Sequence, residues 1–477
     1  MDQSRKLQFL YSRAGFGITP AAFMNPISMT EAYENLFPKS PASEIIVVDD
    51  QEWADNKPAV MKNMQADEKK EMKKEFNKRT EDLNLQWLQT MMKTAYPLQE
   101  KIALFWHGHF ATHIENPYYD QQLLNIFRNK GLGNFGDLLH AVSKSPAMLQ
   151  YLNNQQNKKS HPNENFAREV MELFTLGRGN YTEDDIKESA RAFTGWGVDE
   201  NGNFKSREKQ HDFDQKTFLG KTGNFDGDDI LNIILDNRHT AEFISRKVYK
   251  YFVSDEEADE IRVKEMAKLF YDSHLNITVL LKSVFESEWF YQDKLVGEKV
   301  KSPIELLIGY QKAVAMRFDD PKMLIKIQKI LGQYLFNPPN VAGWAGGRNW
   351  IDSSSLMVRM RLPEALYGSD DLNLTPKEPG NDNSQTGGRE EMIEAEQKRQ
   401  SKFKLGKVQP EWSAYLDFWK QTPQDKLPRA LANYLLNVPV SDKLLNDIVA
   451  SADKTTNETY LKTLTMRLME LPEYQLI

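Results

Sequence analysis

The stretch FWHGHFATH, residues 105–113, places three of the chain's eight histidines within seven positions. Neutral imidazole ligates metals, and imidazole near its pKa moves protons, so such a cluster is a natural place to look for chemistry. Spacing restricts what it can do. On a helix His107 and His109 lie about 200° apart, whereas His109 and His113 share a face. In an extended segment His107 and His109 point the same way. All three meet at one point only if the helix ends inside the motif.

A second constellation lies in HPNENFAREVMELFTLGRGNYTEDDIKESARAFTGW, residues 161–196. On a helix beginning near Asn163, the residues Glu164, Asn165, Arg168, Glu169 and Glu172 fall on one face. Phe166, Val170, Met171, Leu173 and Phe174 cover the other. Two readings stay open. Glu164, Arg168 and Glu172 follow i, i+4 spacing and form an intrahelical ion-pair ladder with no further role. Alternatively the face is buried against the histidine segment, with Glu164, Arg168, Glu169 and Glu172 as the catalytic candidates. Glu169 and Glu172 are then paired carboxylates for acid–base work, or join His107 and His109 around a divalent zinc, manganese or iron ion. Neither HExxH nor ExxH occurs, so no established metal pattern supports the second version.

His211, in QHDFDQK, joins His107 and His109 as a metal-ligand candidate, with Asp212 beside it as an acceptor able to orient the ring. His140, His239 and His274 sit in helical or helix-edge contexts and read as structural. The loop NPPNVAGWAGGRNW combines aromatic rings with polar tips, a composition suited to a carbohydrate site and equally to a rigid packing corner. Trp344, Arg348 and Trp350 from this loop, with Asn163 and Asn165, are the substrate-binding candidates.

The elements that must carry these residues are mostly helical. Apolar residues recur at helical spacing along KLQFLYSRAGFG, through a long charged helix over 66–94, and along PLQEKIALFWHGHF. Further helices follow over 238–254, 256–273, 275–290, 301–316 and 321–333. Residues 193–221 differ: alternating aromatics flank Asn201-Gly202, a hairpin turn. The expectation is a mainly α protein, one large multi-helix domain over 1–368 and 410–477 with a small β-hairpin excursion around 193–221. The polar stretch 369–409 reads as a flexible insertion or linker.

Composition narrows the function classes. The chain has 477 residues, 40% hydrophobic and 27% charged, as a globular protein has. Its formal net charge of −7 argues against nucleic acid or an anionic membrane as partner. With no cysteine, thiolate catalysis, disulfides and iron–sulfur clusters are excluded. No stretch reaches the ~20 apolar residues of a membrane span. The start, MDQSRKLQFLYSRAGFGITP, has no signal-peptide pattern. The cytoplasm is therefore the default compartment, with the periplasm or export the alternative if a leader has been removed.

RAGFG, FWHGHF, NPYYDQQLL, PNENFAREVMELFTLG, YTEDDIKESARAFTGW, HDFDQKTFLG, KVKSPIELLIG and LFNPPNVAGWAGGRNWI occur in that order. Together they resemble a large bacterial family catalogued as domain of unknown function 1800, over about residues 7–365 and again at MELPEYQL. The resemblance implies no established activity. It does imply which residues belong to the family pattern, among them His107, His109, Asn163, Glu164, Asn165, Arg168, Glu169, Glu172, His211 and Trp344. His113 stands outside that pattern. It also implies a partner from a second, exported uncharacterised family numbered 1501. The functional expectation is a hydrolase-like enzyme with a His/Glu/Arg pocket, divalent-metal-dependent in one version, acting on envelope or dietary glycan. The alternative is a non-enzymatic binding or assembly protein working with that exported partner.

Overall fold

The apolar periodicity is realised as helices in the computed structural model, which describes residues 1–368 and 407–477. The longest, Ala66–Lys93, shows why it forms where it does. Gln65 and Glu68 close a capping box at its start. Its first half is charged and exposed, while Leu83, Trp87, Leu88 and Met91 in the second half enter the core. Prolines at the first helical turn open the helices Pro97–His109, Pro117–Lys130 and Pro303–Ala313, where the missing N–H costs nothing. Asn116, Asn134 and Asp226 cap their helices through side-chain oxygens.

Among the described residues, three two-stranded antiparallel sheets are attached to this helical body. Trp196–Val198 pairs with Phe204–Ser206 across the expected Asn201-Gly202 turn, where Gly202 takes a φ of 86°. Lys216–Phe218 pairs with Lys221–Gly223, so the excursion holds two hairpins and ends slightly beyond residue 221. The third sheet corrects two expectations. Met316–Phe318 is a strand rather than the end of a helix, and it pairs with Val408–Pro410. Residues 407–409 therefore belong to the ordered body, because their backbone groups complete or extend that ladder. The rest of the expected insertion, 369–406, lies outside the described residues.

The expected helix from Asn163 also differs. It runs as α-helix over Asn165–Glu169 and then widens to a π-helix over Val170–Thr175. The Thr175 hydroxyl donates to the Val170 carbonyl at 2.6 Å, and the Leu176 N–H reaches back five residues to Met171 at 2.8 Å.

The helix Pro97–His109, the histidine helix, runs through the core, with every residue except Gly108 buried. Its charged residues are not solvated, contrary to the usual reading of interleaved charge. Glu100 receives three hydrogen bonds from Arg128, at 2.8–3.1 Å, and one from the Trp87 indole at 2.9 Å. Lys101 pairs with Glu305 and donates to the Gly15 carbonyl at 2.8 Å. Removing one member of such a pair leaves a buried charge uncompensated, at a cost of about 3–5 kcal/mol. Urea unfolding of Glu100→Ala is expected to show a loss of that size. Glu71→Ala, which removes an exposed partner of Lys74, should change stability by under ~0.5 kcal/mol.

Candidate functional site

The histidine helix continues unbroken to His109, so His107 and His109 face different neighbours. The Phe336 N–H donates to His107 Nε2 at 3.1 Å, which makes that nitrogen the acceptor. Rings of Trp87, Phe336 and Trp344 surround it at centroid distances of 5.0–5.6 Å. His109 has the opposite arrangement: its Nε2 donates to the Phe174 carbonyl at 3.0 Å, and its Nδ1 is buried without a partner. Burial lowers both pKa values to about 3, with the Lys247 charge adding to the effect at His109. Both rings are neutral.

His211 lies elsewhere. Its Nδ1 donates to the Thr194 carbonyl at 2.9 Å, while the Asp212 carboxylate turns to Arg191 at 2.7 Å rather than orienting the imidazole. Each histidine thus spends a ring nitrogen on a different backbone group. Among the described residues no group of three or more histidine, aspartate or glutamate side chains is placed to hold a metal ion. As a ligand set for zinc, manganese or iron, His107, His109 and His211 do not fit.

The acidic face is likewise not buried against the histidines. The opposite face, with Phe166, Val170, Met171 and Phe174, enters the core instead. Arg168 bridges Glu164 at 3.2 Å and Glu183 at 2.8 Å near the surface. Glu172 takes Arg178 at 2.5 Å and the Tyr181 hydroxyl at 3.1 Å. Partial burial and the neighbouring Glu172 hold the Glu169 carboxyl above the usual carboxylate range. Asn163 and Asn165 shape the helix start: Asn163 Oδ1 accepts from the Asn165 N–H at 3.0 Å, and Asn165 Nδ2 donates to the Leu152 carbonyl at 3.2 Å.

What the structure does bring together is a cleft of about 690 Å³ at the end of the histidine helix. Gly108 and His109 border it. Trp344, Arg348 and Trp350 line it, as do Lys247, Lys250 and Tyr251 from the helix Arg238–Phe252. Asp255, Lys299 and Glu305 add a charged base. The tryptophan loop reaches this position because Gly343, at φ 75°, lays its backbone against Gly108; a Cβ there would stand 2.2 Å from the Gly108 oxygen. The volume falls within the ~300–1,000 Å³ of small-molecule sites.

A family model described as protein of unknown function (DUF1800) matches residues 9–476. The chain belongs to that family. No curated protein and no solved structure was found to match it. The family match runs past the range read from the motifs, taking in the C-terminal helices that complete the body. Of the substrate-binding candidates in this family member, Trp344, Arg348 and Trp350 line the cleft, whereas Asn163 and Asn165 do not. Sequence reasoning missed Lys247, Lys250, Asp255, Lys299 and Glu305. Lys299 and Glu305 stand in the family motif KVKSPIELLIG, which was the available signal. Lys247 and Lys250 look like any solvated helix face.

The neutral histidines give the fold a pH dependence. In the unfolded chain each ring protonates below about 6.5; in the folded protein that waits until about 3. Between those values the unfolded state binds more protons, so stability falls as pH drops through that window. Urea midpoints should fall between pH 7.5 and pH 5. His107→Leu is expected to lose about 1–3 kcal/mol at pH 7.5, for the unpaired Phe336 N–H, and to show a shallower fall with acid.

Proposed function

We propose that this protein is a binding protein whose cleft takes a carbohydrate. The single observation that carries this reading is the makeup of the cleft, with Trp344 and Trp350 beside a set of charged and polar side chains. Indole faces pack against the C–H faces of sugar rings, while charged and amide groups receive hydroxyls. Most carboxylates of the cleft are engaged: Asp255 with Lys299, Glu256 with Arg348 and Glu305 with Lys101. That favours recognition over hydrolysis at this place.

A hydrolase reading is favoured by one observation outside the cleft. Glu169 and Glu172 sit one helical turn apart, the first with a raised pKa and no ion pair among the described residues, the second held by Arg178 and Tyr181. Glycoside hydrolysis uses two carboxyl groups in unlike environments.

Binding of a panel of plant and bacterial-envelope oligosaccharides, followed by calorimetry, tests the first reading. Trp344→Ala should weaken any binding at least about tenfold, as loss of an aromatic anchor does, with the unfolding midpoint little changed. If binding survives that substitution, the cleft is not the site. Reducing-end release from the same panel tests the second: hydrolysis that Glu169→Gln abolishes would replace the binding reading with an enzymatic one. We expect no release.

A further inference from the structure

We propose that the ligand carries carboxylate groups, an acidic oligosaccharide of the uronic-acid type, and that Lys247 and Lys250 receive them. This rests on the cleft being a carbohydrate site. Charge bookkeeping within the cleft leads there. Its lining carries four cationic side chains, Lys247, Lys250, Lys299 and Arg348, and four carboxylates, Asp255, Glu256, Glu257 and Glu305. Lys299 is committed to Asp255, Arg348 to Glu256, and Glu305 to Lys101 from behind. Glu257 is the remaining carboxylate. Neither Lys247 nor Lys250 has a carboxylate partner among the described residues; Lys247 rests its ammonium 5.4 Å from the Phe243 ring centroid.

The two lysines stand three residues apart on Arg238–Phe252, so both project from one face of that helix towards the cleft. Both side chains are exposed at the surface; partial loss of water around Lys247, and then repulsion by the Lys250 charge, hold the Lys247 pKa below its ordinary value. An anion bound between them relieves that repulsion and forms charge-assisted hydrogen bonds.

The second, independent observation is His109. Its side chain is only 7% exposed and borders the same cleft, and its Nδ1 has no partner. Because Nε2 carries the proton donated to Phe174, Nδ1 is an acceptor and calls for a donor. An inorganic anion supplies acceptors for the lysines, and protonated phosphate also a donor, but no ring face for Trp344. An acidic sugar supplies carboxylate acceptors, hydroxyl donors and the ring face together.

The experiment is calorimetry of the full chain with oligogalacturonate, oligoglucuronate and oligomannuronate, each beside its methyl ester, and with inorganic phosphate. Methyl esters keep the sugar and remove the charge. The expected result is that at least one acid binds about tenfold or more tightly than its ester. That preference should vanish in the Lys247→Gln/Lys250→Gln double variant. Lys250→Glu, a surface reversal, should weaken the acid further, and both variants should keep the wild-type unfolding midpoint. Acid and ester binding equally, both lost in Trp344→Ala, would overturn the carboxylate and leave the carbohydrate cleft standing. Phosphate binding that depends on the lysines, with no sugar bound, would overturn both in favour of a simple anion site. No binding of any probe overturns both as well.

Discussion

A helix buried on almost every side must find a partner inside the protein for each polar group it carries, since water supplies none. The histidine helix meets this condition nearly throughout, His109 Nδ1 being the exception, with partners drawn from distant parts of the chain. Gln99 donates to the Arg128 carbonyl, and Glu100 takes the Arg128 guanidinium and the Trp87 indole. Lys101 goes to Glu305, more than two hundred residues away in sequence. Trp106 donates to the Gly131 carbonyl, His107 accepts from Phe336, and His109 donates to Phe174. The polar residues of one helix thus fasten the long helix Ala66–Lys93, the helix Pro117–Lys130, the π-helical segment, the helix Pro303–Ala313 and the start of the tryptophan loop.

The cleft follows from that arrangement. Its position is where the histidine helix ends, and one of its walls, the tryptophan loop, is a segment that the helix holds by its last turn. His107 anchors the loop at Phe336, a residue at φ 64°, and its ring lies 5.6 Å from the Trp344 ring centroid. Strain of this kind persists when its surroundings determine it, and the imidazole acceptor is one of those determinants. Gly108 gives the loop backbone room to approach, and His109 ties the helix end to the π-helix. The histidines are therefore structural in their tautomers and hydrogen bonds, while His109 and Trp344, both held by this turn, also border the cleft.

Charge in this molecule divides into two kinds. Deep pairs such as Arg128–Glu100 and Lys101–Glu305 have lost water on both sides, so each depends on its partner. Near the surface, Arg168 with Glu183 and Arg348 with Glu256 exchange with solvent and contribute little to stability. Lys247 and Lys250 belong to neither group. They are exposed enough to meet a ligand and near enough to each other to favour an anion.

Much of this was legible from residue order. Helical periodicity located the long helix to within a residue, the Asn201-Gly202 turn located the first hairpin, and the spacing of His107 and His109 already said they would diverge on a helix. Local rules suffice there because caps, turns and apolar stripes act over a few residues. The sequence by itself determined a mainly helical body, the absence of thiol chemistry and membership cues spread along the whole chain. Only the tertiary structure decided which faces are buried. It turned the acidic face of 164–172 outwards, buried Glu100 and Lys101, separated the three histidines, added residues 408–410 to a strand, and brought Lys247 and Lys250 to Trp344. The reason is physical: a charged residue reads the same in sequence whether water or a distant counter-charge satisfies it, and that distant partner exists only once the chain has folded.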